Sequence, residues 1–268
     1  MSFLKLKYNE SSSKMNNHSN AFLFENKANV YASGRGGYSS SVYDLIDSLL
    51  PKSDTIRIAD IGSGTGIFSE ELLKRHYHTY CVESSESMRR KAEDKLCRYE
   101  GFHSVGALAE QTGLPGGLMD MITVASAFHW FDALSFLKEC RRILKKDGLV
   151  FIVGNSRHYG DAFTKEHHEL CLKFCPSFTS FNHGGEYTEA TCPSFFPKNY
   201  GKKVFQYDLC YTNAQFFSRC MSSSYSLKEQ DANYTACCDA LSKLIERYSQ
   251  NGSLIVRNET VAWYGPVK

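Results

Sequence analysis

Little in this 268-residue chain is extreme, and its absences narrow it first. There is no excess of charge: 31 Lys and Arg stand against 29 Asp and Glu, a formal net charge of +2. That balance makes no field able to hold nucleic acid or an acidic membrane surface. Short basic runs at 89–91 and 141–142 fall on predicted helices and read as solvated faces. No apolar run approaches a membrane span. The first 20 residues are rich in Ser and Asn and lack the apolar core of a secretion signal. Ten cysteines include no C-x-x-C pair, and Cys81 and Cys140 fall at apolar positions of predicted elements. The expectation is a reduced, cytoplasmic chain without a zinc site. Its length allows a sizeable core, as one large α/β domain or a domain with an elaboration.

A missing glycine sharpens the most informative stretch, Ile58-Ala-Asp-Ile-Gly-Ser-Gly-Thr-Gly66. Ile56, Ile58 and Ile61 make a buried strand, while Ile67, Phe68, Leu72 and Leu73 begin a helix. Strand, glycine turn and helix together open many nucleotide-binding α/β folds. A dinucleotide fingerprint would place its third glycine at position 67, which is Ile67. Asp60 also argues against a pyrophosphate, whose charge it would oppose at the helix N-terminus. A ligand carrying an ammonium group suits it better. S-adenosylmethionine has one, and its carboxylate can use the helix N-terminus.

The downstream spacing agrees. Thr79-Tyr-Cys-Val-Glu83 reads as a second strand ending in an acid about 20 residues after the turn, where a carboxylate can grip ribose hydroxyls. Met88 follows in the next helix turn, placed to cover an adenine face. Ala109-Glu-Gln-Thr-Gly-Leu-Pro115 precedes the apolar strand Met121-Ile-Thr-Val-Ala125 and then Phe128-His-Trp-Phe-Asp132. Asp132 is a candidate N-cap for a helix with Leu134, Phe136, Leu137, Cys140, Ile143 and Leu144 on one face. Lys145-Lys-Asp-Gly148 is expected to end it, before a strand at 149–153.

With these motifs in place, residues 25 to 155 resemble the class I S-adenosylmethionine-dependent methyltransferases. The likeness rests on Asp60-Ile-Gly-Ser-Gly-Thr-Gly66, Glu83, Ala109-Glu110 with Leu114-Pro115, Phe128-His-Trp-Phe-Asp132 and Arg142-Ile-Leu-Lys-Lys-Asp-Gly148. Within that class the chain is most similar to the small-molecule branch of trans-aconitate-type and biotin-pathway malonyl-thioester carboxylate methyltransferases. Those carry Tyr-x-x-x-Arg-Pro-x-Tyr-Pro before the first strand. Here Tyr31, Arg35 and Tyr38 match, while both prolines are absent.

The resemblance implies a seven-stranded, mostly parallel Rossmann-like sheet with helices on both faces. A helical and loop cover would precede the last two strands, an antiparallel hairpin at the sheet edge. The cofactor would be S-adenosylmethionine, leaving as S-adenosylhomocysteine, with no metal. Asp60, Gly62, Gly64, Glu83 and Met88 are the cofactor contacts already argued. The resemblance adds Tyr31, Arg35, Ser63, Ser84, Ala109, Glu110, Ser126 and Phe128. Substrate contacts are expected from Tyr38, His129 and Trp130, with Arg157 and Arg219 as partners for an anionic substrate. Tyr31, Tyr38, Phe128 and Trp130 are positioned to offer aromatic faces to a sulfonium. His129 stands just past the fourth strand, where a base or a pocket wall would sit. Duller readings stand beside these: Asp60 as a turn cap, Glu83 as a helix N-terminal acid, Met88 as packing, His129 as a loop brace.

After residue 153 the pattern changes. Residues 160–173 look helical, 174–201 aromatic and irregular, and 205–211 alternate as one strand. Helices are expected at 213–221 and 228–249, and a last strand from Leu254 to Trp263. The boundaries drawn are a flexible arm at 1–24 and one domain at 25–268. That domain divides into a cofactor core at 25–154, a substrate cover at 155–250 and a closing strand at 251–268. Three functions remain open: a small-molecule methyltransferase acting on a carboxylate or hydroxyl oxygen, a methyltransferase of RNA or protein, or a non-catalytic cofactor-binding subunit. The expected partner is a small molecule rather than nucleic acid or membrane, in a monomer or homodimer.

Overall fold

Ile58, Ala59, Asp60 and Ile61 are all buried in β1 (Arg57–Ile61), as suits a parallel strand covered on both faces. The computed structural model describes residues 37–53 and 55–268. β1 lies between β2 (His78–Val82) and β4 (Met119–Ala125), parallel to both. β3 (Phe102–Val105) adds an edge beyond β2. On the other side come β5 (Leu144–Arg157), β9 (Asn258–Pro266) and β6 (Gly201–Gln206). The order is β3-β2-β1-β4-β5-β9-β6, and only β9 runs against the rest. This is the seven-stranded, mostly parallel sheet expected.

Helices cover both faces. On one, Val42 and Ile46 of α1 (Ser40–Leu49) and Phe68 and Leu72 of α2 (Ile67–Lys74) pack on Ile58, Met121 and Phe151. On the other, Phe136, Cys140 and Ile143 of α4 (Ala133–Ile143) meet Ile61, Ile122 and Ile152. Leu134 of α4 lies outside this stripe, 71% exposed. α3 (Glu86–Leu96) covers β2 with Ala92 and Leu96. Strand order reverses between β1 and β4, so their carboxyl ends flank a crevice of the kind where open α/β sheets bind ligands.

Three local expectations are corrected. Residues 145–148 do not end α4. They bulge within β5, where Met119 pairs with Leu144 and Met121 with Leu149. Lys145 reaches Asp120 across the bulge at 2.6 Å.

Residues 174–201 are not irregular throughout, because α6 (His183–Phe195) runs inside them with Thr188, Cys192 and Phe195 buried. Gly184, Gly185 and Pro193 hide that helix in the sequence. Finally, each predicted closing strand is two. β6 and β7 (Leu209–Thr212) pair with β9 and β8 (Ser253–Val256) in one continuous register, Gln206 opposite Glu259 and Leu209 opposite Val256. The ladder turns out of the main sheet at Tyr207-Asp208 and Arg257-Asn258. There Asp208 binds Arg257, and Tyr207 N–H donates to the Asn258 carbonyl at 2.8 Å.

The cover therefore comes in two pieces. α5 (Ala162–Phe174) and α6 fill the β5–β6 connection, and α7 (Asn213–Met221) and α8 (Tyr234–Tyr248) fill the β7–β8 connection. Phe163, Leu209, Phe216, Leu241, Ile245 and Leu254 give this part an apolar cluster of its own. α6 is tied down at its start and its middle. Asn182 exchanges hydrogen bonds with the Arg157 backbone at 2.7 and 2.9 Å, and Glu189 accepts from Trp263 Nε1 at 2.8 Å.

Candidate functional site

The crevice is built on the glycine turn. Gly62, Gly64 and Gly66 all have positive φ, a region that side chains other than glycine rarely enter. At Gly62 a Cβ would lie 2.7 Å from the Ala127 Cβ and 3.1 Å from the Phe131 ring, so the loop after β4 closes directly on the turn. At Gly64 a Cβ would meet nothing within 4 Å among the described residues. The turn is thus packed from behind and open in front, the form a backbone cradle needs. Beside it, Ser63 Oγ is buried without a hydrogen-bond partner among the described residues. Buried polar atoms are normally paired, so this one suits a polar ligand.

Glu83 stands across the hollow. Its carboxylate accepts from Gly64 N–H at 2.9 Å and Ser85 N–H at 2.8 Å, coupling the end of β2 to the turn. Burial raises its pKa, and these backbone donors oppose that shift. The carboxylate is half-buried, leaving acceptor capacity for hydroxyls. Ser84 beside it is exposed.

Asp60 differs from expectation in how it acts. It is fully buried, accepting from Ser69 Oγ at 2.5 Å and Thr123 Oγ1 at 2.8 Å. With no surface in the crevice, it ties β1 to α2 and β4 and leaves only its charge to reach a ligand there. Burial first, and Glu83 as a lesser contributor, push its pKa up to about 6.

Met88 and Phe128 are corrections. Met88 is 3% exposed beneath the start of α3, leaving almost no face for an adenine. Phe128 is 1% exposed, with Phe195 at 5.0 Å between ring centroids and Tyr187 and Phe136 farther out. It belongs to the core because the 3-10 turn Phe128–Trp130 directs it inward. The aromatic ring that meets the glycine turn is Phe131, which sequence reasoning passed over. Its signal was the same: a close approach at Gly62 that only a missing Cβ permits.

Ala109 is buried, and Glu110 turns away from the adenine end to accept from Asp132 N–H at 2.9 Å. That bond and the Glu139 carboxylate, which accepts from Thr112 N–H at 2.8 Å, fix the loop after β3 against α4. Asp132 caps α4 as expected, accepting from Ser135 N–H at 2.8 Å.

At the end of β4, Ser126 takes a positive φ of 54°, a strained conformation that clusters at functional sites. Its hydroxyl accepts from Tyr38 at 2.9 Å, so an expected substrate residue and an expected cofactor residue meet at the crevice rim. His129 is half-buried beneath α6, its Nδ1 only 2.8 Å from where a Gly184 Cβ would be. Trp130 lies beside it at 4.8 Å between ring centroids and is 38% exposed. Arg157 and Arg219 come together elsewhere, lining a cavity between β5, β7 and α7. Tyr31 and Arg35 fall outside the described residues, as does the 1–24 arm.

Comparison with known proteins points the same way. Residues 59–152 match the family described as methyltransferase domain. A provisionally named methyltransferase of Dictyostelium discoideum is 32% identical over 122 residues, 46% of this chain and 44% of that protein. A malonyl-[acyl-carrier protein] O-methyltransferase of Bacteroides fragilis is 30% identical over 109 residues, 40% and 22% of the two chains. The chain thus spans less than half the length of these curated relatives. A solved structure from Anaeromyxobacter dehalogenans, provisionally named a type II methyltransferase, shares the fold. Its TM-score is 0.63 at 18% identity, over 87% of this chain and 98% of that one. The seven-stranded fold and the glycine turn thus sit in a stretch that matches a methyltransferase domain over residues 59–152. Among the described residues no helix is long and apolar enough to cross a membrane.

Proposed function

We propose that this protein transfers the methyl group of S-adenosylmethionine to a small-molecule acceptor, at a carboxylate or hydroxyl oxygen. The observation that carries it is the turn itself: an open cradle at Gly64 and an unpartnered Ser63 hydroxyl, faced by Glu83 and underlain by the charge of Asp60. These features fit the cofactor's ammonium, carboxylate and ribose groups. Bound there, S-adenosylmethionine supplies a methyl group already activated as a sulfonium substituent.

The chain's own work is then binding, orientation and exclusion of water. Glu83 offers acceptors for ribose hydroxyls, and Ser63 and the Gly64 backbone line the cradle. Tyr38 and Ser126 shape the rim toward the acceptor. Aromatic surface near a sulfonium stabilises it by about 0.5–2 kcal/mol. Such attraction assists binding more than rate, since the positive charge fades during transfer and only differential stabilisation accelerates it. His129, packed on Gly184, reads as a wall and anchor for α6, and an ionised carboxylate acceptor needs no base.

Two findings support an oxygen acceptor of low mass. The Bacteroides fragilis relative is named a malonyl-[acyl-carrier protein] O-methyltransferase, which favours oxygen, and a net charge of +2 offers RNA no basic footprint, which favours a small acceptor. The test is methyl transfer from labelled S-adenosylmethionine into extracted metabolites, set against RNA and protein fractions. Label is expected in the small-molecule pool as a base-labile ester or a stable ether. Label confined to RNA or protein, or none anywhere, rejects the proposal.

A further inference from the structure

Past the crevice, along β5, the cover and the β7–β8 ladder enclose a cavity of about 200 Å³. Two guanidinium groups, Arg157 and Arg219, line it, and among the described residues no carboxylate does. The remaining walls are largely aromatic and hydroxyl-bearing, with Phe181, Tyr211 and Tyr225 most prominent.

Arg157 is held in place without being neutralised. Its Nη1 lies 3.0 Å from His167 Nδ1, and its guanidinium stacks 4.3 Å over Phe181 and 5.3 Å over Phe216. His167 is buried, and burial drives its pKa well down, so the ring is neutral. Because Arg157 only donates, the His167 proton sits on Nε2, facing Cys220 Sγ at 3.6 Å. Among the described residues no carboxylate pairs with Arg157.

The second observation is independent. Tyr211 Oη is buried without a hydrogen-bond partner among the described residues, and its ring lines the same cavity. An orphaned hydroxyl and an unneutralised guanidinium on the walls of one cavity are two donors that an acceptor could satisfy.

We infer that this cavity holds the anionic end of the methyl acceptor, with a carboxylate on Arg157 and Tyr211 Oη and an apolar body along the aromatic walls. The word acceptor rests on the function proposed above. Distance adds a constraint. Gly154 lies beside Ser126 at the crevice rim, and Arg157 is three residues farther along β5, about 10 Å at strand rise. That spacing lets an elongated acceptor keep its anchored carboxylate apart from the group that is methylated. The reacting oxygen, a hydroxyl or a second carboxyl, lies at the other end of the molecule. Substrates with both features are favoured, and neutral analogues are excluded by the unpaired guanidinium they would leave.

Calorimetry on the full chain, with and without S-adenosylhomocysteine, tests this using 3-phenylpropanoate and its neutral amide. The acid is expected to bind at least tenfold tighter than the amide. Tyr211→Phe removes only the unpaired hydroxyl, so it should leave folding intact yet weaken the acid about tenfold. Arg157→Met should weaken it further and narrow the preference for acid over amide, and neither variant should move the affinity for S-adenosylhomocysteine by more than twofold. Equal affinity for acid and amide, no measurable binding of either, or an unchanged acid affinity in Tyr211→Phe overturns the inference. If the acid is preferred but S-adenosylhomocysteine does not bind, the anion pocket stands and the methyltransferase reading falls. If the cofactor product binds without acid preference, only the pocket falls.

Discussion

At the residue scale, Asp60 carries the clearest conflict between stability and use. Its carboxylate is fully buried with two hydroxyl donors and no cation, and its pKa is pushed up to about 6. A folded-state pKa above the unfolded value means the folded chain holds the proton more tightly. The charged form is therefore unfavourable above pH 6, by about 3 kcal/mol, and this penalty fades as pH falls toward 4. Perturbed buried acids of this kind concentrate at functional sites.

Asp60→Asn should accordingly be as stable as wild type or more so at pH 8, while binding S-adenosylmethionine at least tenfold more weakly. The difference between the two unfolding profiles should shrink between pH 6 and pH 4. A variant clearly less stable at pH 8, with affinity retained, contradicts this reading. Cofactor affinity of the wild type should likewise decline below pH 6, as Asp60 takes up its proton. Gly64→Ala makes the complementary point. Placing a Cβ at φ +57° costs about 1–2 kcal/mol and intrudes on the open side of the turn. The fold should survive, and cofactor binding should drop more than tenfold by calorimetry. Unchanged affinity would show that the cradle lies elsewhere.

Among elements, α6 and the bent ladder distinguish this chain from the bare sheet. Gly184 admits the His129 ring, so Gly184→Ala drives a methyl group into an imidazole and should cost about 1–3 kcal/mol of stability. Gly185 faces only the movable Ser156 hydroxyl, and Gly185→Ala should cost less. Chemical denaturation separates the two, and equal losses would show that the His129–Gly184 contact is not tight. At the bend, the Asp208 partner Arg257 is 57% exposed by side chain. Asp208 also accepts from Gln206 Nε2 at 2.7 Å and Asn258 N–H at 3.2 Å. Arg257→Ala should therefore cost no more than about 1 kcal/mol. A larger loss would make that ion pair the hinge of the ladder.

These are also the elements least legible beforehand. β1, the glycine turn and β4 announce themselves because dense apolar runs end at glycines. Period-two alternation from Phe205 to Tyr211 carries no mark of a bend, since a strand that keeps its register while leaving a sheet keeps its alternation. α6 is obscured by two glycines and a proline. Phe128 and Phe131 are three residues apart in one aromatic run, and only the 3-10 turn decides which ring faces the core.

Across the whole molecule, the sheet places two hollows on one edge. The crevice stands at the carboxyl ends of β1 and β4, and the cavity lies farther along β5 under the two-part cover. Their separation is what makes an elongated, anion-bearing acceptor the natural occupant. The acceptor's chemistry has meaning only beside the cofactor hollow. Titration of the full chain with S-adenosylhomocysteine in a calorimeter tests it most directly. One site per chain with micromolar affinity is predicted, with a gain near 2.7 kcal/mol in stability at a hundredfold excess over Kd. No heat and no shift in unfolding temperature at millimolar ligand would contradict the account at its base.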